Sequence, residues 1–99
     1  MEAKNIFDQL TFLENGPAKT MLLEQEHFEL VRIALGKGKK IPPHQGGHWV
    51  FFLVLQGRGI FTRGQEDVEL EPNQYLYIKA DETRGIQALE DLVIFAVKN

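Results

Sequence analysis

Residues 41–59 read IPPHQGGHWVFFLVLQGRG. Pro42 and Pro43 lack backbone donors and hold φ fixed, so they interrupt regular pairing and set the backbone just before His44. His48 follows four residues later. The longest apolar run of the chain, Trp49 to Leu55, comes next, and Gly57 and Gly59 close it. Histidines at the entrance of a strongly apolar strand describe the lip of a pocket that opens into a core.

On either side of this stretch the chain divides into short apolar segments separated by turn residues. AKTMLLE (18–24) reads as a strand. In HFELVRIAL (27–35), Val31, Ile33 and Leu35 share one parity and Phe28 and Leu30 the other, which suits a strand inside a sandwich or a dimer. His27 reads as a surface histidine beside a turn. GKGKK (36–40) is a loop, because its glycines punctuate and its lysines favour water. IFTR (60–63) returns the chain after Gly57-Arg58-Gly59, and Gly64-Gln65 turns it again. DVEL (67–70) alternates, with Val68 and Leu70 inward. Glu71-Pro72-Asn73 is a further turn before the strand YLYI (75–78). Residues 84–90 and LVIFAV (92–97) are the last two strands. About eight short strands at this spacing predict an all-β sandwich or barrel. Upstream, Ile6, Leu10 and Leu13 fit one helical face stopped by Asn15-Gly16-Pro17, and fit equally an irregular arm laid across a sheet. The chain is expected to be one domain, 1–99, with an arm at 1–17 and a barrel at 18–97.

Composition narrows the function classes. Hydrophobic residues make up 43% of the 99 positions and charged residues 25%, which are globular rather than disordered values. The net charge of −3 and the absence of a dominant basic patch argue against nucleic acid as a partner. There is no cysteine, hence no disulfide framework and no thiolate chemistry. Serine is also absent, so a Ser-His-Asp hydrolase is excluded. Thr62 and Thr83 lack a nucleophile context, and Gly36-x-Gly38 does not lead from a strand into a helix as a phosphate loop would. No apolar run approaches the roughly 18 residues that span a bilayer. MEAKNIFDQL is acidic and mixed, unlike a signal peptide, and a cytoplasmic protein without membrane partners is expected.

Turn positions, strand spacing and residue types together resemble the cupin family over roughly Phe28 to Val97. The family's first motif runs glycine, a short gap, His-x-His, glutamate, six residues, glycine. Gly38, Pro43, His44 and Gly57 occupy its frame, while Gly46 stands at the second histidine position and Val50 at the glutamate position. In the second motif, Pro72-Asn73-Gln74 stands for the turn, Tyr75 to Ile78 for the strand, and Arg84 for the histidine. Of the four usual metal ligands only His44 is kept. The resemblance implies a double-stranded β-helix, the jelly-roll barrel of small RmlC-like proteins.

Cupin metals are typically held by three histidines and a carboxylate, a set that suits zinc, manganese, iron or nickel. On one continuous strand, positions 44, 46, 48 and 50 project to the same face, so His48 is expected beside His44. A third metal ligand would have to come from Gln45, Glu66, Glu69 or a neighbouring subunit. Arg84 opposes a metal, being a permanent cation with no lone pair. It is instead a fork donor for a carboxylate or phosphate, and His44 and His48 add further donors when protonated. Trp49, Phe51, Phe52, Tyr75 and Tyr77 are candidate walls of the cavity. Gly46-Gly47 reads as flexibility at the pocket rim.

The same parity sends Val50, Phe52 and Val54 inward and Trp49, Phe51, Leu53 and Leu55 outward. Four large apolar residues on an outer face call for a cover, and a second subunit or the N-terminal arm would supply it. The expected protein is therefore a small stand-alone cupin of unassigned reaction, forming a homodimer. It is expected to bind a small acidic ligand through His44, His48, Arg84, Phe52 and Tyr77. One alternative is a metal-dependent isomerase or dioxygenase with a single divalent metal on His44 and His48. The other is a non-catalytic interaction protein with a vestigial pocket.

Overall fold

The computed structural model describes residues 2–99. Nine strands follow in order: β1 (Ala18–Glu24), β2 (Glu29–Leu35), β3 (Lys40–Gln45), β4 (Val50–Gln56), β5 (Gly59–Arg63), β6 (Glu66–Leu70), β7 (Tyr75–Ile78), β8 (Thr83–Ala88) and β9 (Leu92–Lys98). They form two antiparallel sheets, ordered β1-β2-β9-β4-β7 and β3-β8-β5-β6. The all-β expectation holds.

The strand beyond the expected eight is β3, which carries the two prolines. It pairs on both sides of them, Ile41 with Ile86 and His44 with Arg84, and the register shifts in between. Three steps along β3 therefore match two along β8, which is a β-bulge. The prolines do disturb the ladder, as their missing donors require, but they sit inside a strand at a sheet edge, where the ladder tolerates them. Gly85 makes room for this. A Cβ there would lie 2.9 Å from Pro43 N and 3.1 Å from the Ile41 carbonyl oxygen.

The core follows strand alternation. Val50, Phe52 and Val54 point inward from β4 and meet Val31, Ile33, Leu35, Ile94 and Ala96 of the same sheet. Phe61, Leu70, Ile86 and Ala88 close the core from the other sheet. Phe52 and Phe61 join the two layers, with ring centroids 5.5 Å apart. A buried aromatic pair of this kind contributes about 0.5–1.5 kcal/mol beyond the area it buries.

The N-terminal segment is an arm, not a helix. Among the described residues there is no helix, and 6–9 form a turn with Gln9 at φ 57°. The arm is pinned to the outer face of the five-stranded sheet by Arg32. One guanidinium nitrogen, Nη1, donates to the carbonyls of Ile6 (2.9 Å) and Asp8 (2.8 Å), and Nη2 donates to Thr20 Oγ1 (3.2 Å). Arg32 is 5% exposed, and Ala34 and Val93, paired with each other on that same face, are fully buried. The rest of the face is not sealed. Trp49 packs on Tyr77 (centroids 6.3 Å) and Phe51 on Tyr75 (5.4 Å), and both tyrosines stay exposed.

Candidate ligand site

The cavity lies between the sheets, at the end of the barrel where the 46–49 turn joins β3 to β4. Its floor is apolar: Val31, Ile33, Val50, Phe52, Ile86 and Ala96. Its polar wall is His44, His48 and Arg84. These three were expected together, and they are together, but not by the expected route. His44 belongs to β3 and Val50 to β4, in different sheets, so no single strand carries positions 44 to 50. The bulge sends both Ile41 and His44 to the cavity side, although they are three residues apart, and the turn brings His48 over from the other sheet.

Each imidazole is held by a backbone carbonyl. His44 Nδ1 lies 3.0 Å from the Pro42 oxygen and His48 Nδ1 lies 2.8 Å from the Gly46 oxygen. A carbonyl only accepts, so Nδ1 carries the hydrogen in both rings and Nε2 is the nitrogen left for a ligand. Gly46 is more than a flexible rim residue. A Cβ there would lie 3.1 Å from Arg84 Cζ and Nη1 and 3.1 Å from His48 Cε1. The second-histidine position of the motif is thus filled by the Arg84 and His48 side chains closing over a glycine.

Arg84 is 5% exposed. Its Nη2 donates to the carbonyls of Lys79 (2.8 Å) and Glu82 (3.2 Å), while Nε and Nη1 are buried with no protein acceptor. Neither Asp81 nor Glu82 takes it as a carboxylate partner, and Glu82 instead accepts from the Lys79 N–H. Burial lowers the Arg84 pKa from its ordinary value, and the charge of Glu82 opposes the shift.

Two further cations line the cavity, Lys19 and Lys98, and no acidic side chain does. Sequence reading missed both. Lys98 continues the inward series Leu92, Ile94, Ala96, and that parity was a usable signal. Lys19 owes its position to the register of β1 on β2, where it opposes the core residue Ile33. Phe52 is in the cavity as expected, but Tyr77 is not. In β7 the inward residues are Leu76 and Ile78, so Tyr75 and Tyr77 point outward, where they pack on Phe51 of β4 and on Trp49 just before it. His27, 86% exposed at its side chain, stands 3.9 Å from Glu26 and outside the site.

The family model of the cupin domain matches residues 30–97. This chain belongs to the cupin family. Solved structures agree on the fold. The cupin superposes on TT1209 from Thermus thermophilus with a TM-score of 0.89 at 20% identity, covering 99% of this chain and 96% of that one. An RmlC-like cupin from Desulfovibrio desulfuricans gives 0.87 at 20% identity, with 99% and 95% covered. KdgF from Halomonas sp. gives 0.80 at 21% identity, with 84% and 77% covered. No curated protein matches the sequence.

The donor set of this cupin does not fit a resident metal. Among the described residues no three His, Cys, Asp or Glu side chains converge as a metal group. Glu66 and Glu69 lie on β6, across the sheet from β3, and Glu69 is engaged by Arg58 at 3.0 Å. Gln45 is exposed on the last residue of β3. A buried guanidinium beside the two imidazoles raises the cost of any second cation there. No helix among the described residues is long and apolar enough to cross a membrane.

Proposed function

We propose that this cupin binds a small carboxylate in the cavity between its sheets. The observation that carries the reading is Arg84, a buried cation at the cavity wall with Nε and Nη1 unpartnered. A buried donor without an acceptor costs about 1–3 kcal/mol, more when charged, and a bound carboxylate would recover that. The fork geometry of guanidinium matches two carboxylate oxygens. His44 and His48 flank it, each with Nε2 free to accept from a ligand hydroxyl.

A thermal-shift series tests this. Small carboxylates should raise the unfolding temperature, with stabilisation growing as RT ln(1 + [L]/Kd), about 2.7 kcal/mol at a hundredfold excess over Kd. Arg84→Gln should erase the shift. Equal shifts in native and variant protein would overturn the reading.

The same reading includes a homodimer formed by a second copy on the outer aromatic row. A compact monomer of 11.3 kDa exposes about 5,700 Å², and this chain exposes 6349 Å². The surplus, about 600 Å², is somewhat less than the roughly 800 Å² that one partner buries in a standard interface. The paired rings Trp49–Tyr77 and Phe51–Tyr75 supply the apolar centre such an interface uses. Light scattering after size exclusion should give twice the chain mass, and Phe51→Glu should halve it. A monomer at micromolar concentration in the native protein sinks this part.

A further inference from the structure

We infer that the ligand is a small dianion of the four-carbon dicarboxylate class, gripped by Arg84 from one sheet and by Lys19 and Lys98 from the other. This rests on the carboxylate reading above and narrows it by charge and by size.

The charge argument begins with the whole chain, which carries 14 acidic and 11 basic side chains. Acids outnumber bases, yet the cavity wall holds three permanent cations and no acid. Lys98 is partly offset by Glu29 at 3.8 Å, just outside the cavity. Arg84 is not ion-paired; its acceptors are backbone carbonyls. Among the ion pairs of the described residues, Lys19 has none. Two cations thus remain uncompensated around one cavity. A monoanion balances only one of them; Arg84 is buried and Lys19 exposed, so the second contact is the weaker of the two.

The placement is two-sided. Arg84 sits on β8 opposite His44, in the four-stranded sheet. Lys98 ends β9, and Lys19 lies on the edge strand β1, both in the five-stranded sheet and both on the inward face by register. Packed sheets stand about 10 Å apart. The charged side chains project into that gap from both sides, so a diacid that meets both must be short. Between the charged groups, Val31, Phe52, Ile86 and Ala96 present an apolar surface to the ligand's methylenes.

Size sets the upper limit. The cavity offers about 100 Å³. A single water already needs roughly 10–15 Å³ of cavity space, so the site suits a ligand of a few carbons, such as succinate or malate, better than a hexose acid.

Calorimetric titration at constant ionic strength tests the inference with succinate, malate, butyrate and adipate. Succinate or malate should bind up to about fivefold tighter than butyrate, the gain expected of one additional partly exposed ion pair. Adipate, longer than succinate by two methylenes, should bind more weakly because it must fold or displace a wall to fit the same space. Lys19→Met should reduce succinate to about the butyrate level and weaken butyrate less than succinate, and Lys19→Gln serves if the methionine variant fails to fold. Equal affinity for butyrate and succinate overturns the dianion inference but leaves the carboxylate reading standing. Adipate binding tighter than succinate overturns the size limit, and with it the four-carbon class. Failure of all four acids to bind overturns both readings.

Discussion

His44 and Arg84 stand directly opposite each other across the β3–β8 ladder. In the cupin pattern both positions carry metal ligands; here one imidazole faces a permanent cation. On the carboxylate reading proposed above, the pair would let a cupin frame exchange a metal for an anion without altering its strands. It also makes the exchange reversible on paper. Arg84→His would set a third imidazole beside His44 and His48 and remove the repelling charge. Titration with zinc or manganese should show binding at least tenfold tighter in the variant than in the native protein. Unchanged metal affinity would mean that the three rings do not converge.

Arg84→Met separates binding from stability. The variant loses two hydrogen bonds to carbonyls, worth about 1 kcal/mol each, and is relieved of burying a cation that has no counter-charge. The two effects oppose, so stability should change by less than about 1 kcal/mol, while carboxylate binding disappears. The pH dependence has a definite sign. A lowered Arg84 pKa means that folding disfavours the charged form. That penalty is fully present wherever arginine is charged and would fade only as pH rises through the lowered value. Native and variant stability curves should therefore run parallel from about pH 5 to pH 9. Chemical denaturation at several pH values checks this.

Gly46 and Gly47 should respond in opposite ways to alanine. At Gly46 a Cβ meets Arg84 and His48 side-chain atoms at 3.1 Å, so Gly46→Ala displaces the ligand groups and should weaken binding more than tenfold at little cost in stability. At Gly47 nothing lies within 4 Å, but φ is +71°. Gly47→Ala should cost about 1–2 kcal/mol of stability and leave binding largely intact. Paired measurements of melting and affinity distinguish the two.

Arg32 is the single cationic latch of the arm. Arg32→Met removes its hydrogen bonds to Ile6, Asp8 and Thr20. A loss of about 2–3 kcal/mol is expected, together with faster proteolysis within residues 2–17 and cavity binding unaffected. Protection of the arm equal to that of the native protein would show that apolar contacts hold it instead.

Much of this architecture could be read from residue order. Parity in WVFFLVL assigned Val50, Phe52 and Val54 to the core, because period-2 alternation is local and needs no partner. Tyr77 could not be assigned that way. Leu76, Ile78, Tyr75 and Tyr77 are all apolar or amphipathic, so β7 gives no sign of which face turns inward. Lys19 was out of reach for a different reason: it lies on a strand whose residues from 19 to 24 are all exposed, and only the β1–β2 register sets it against Ile33. His44 and His48 were grouped correctly from a false premise. Spacing treated 44 to 50 as one strand, whereas a bulge and a change of sheet produce the same meeting.

The one-residue excess at Pro42-Pro43 has a consequence of its own. Because strand side chains alternate, the phase of everything between the bulge and the β3–β4 turn depends on how many residues lie there. Removing a single codon from the proline pair would leave Ile41 and His44 two residues apart, so plain alternation would keep both facing the cavity while the bulge disappeared. The edge strand of this cupin therefore tolerates either length at the prolines without losing His44 from the cavity wall, and the extra residue alters the local bend of the strand rather than which side chains face inward.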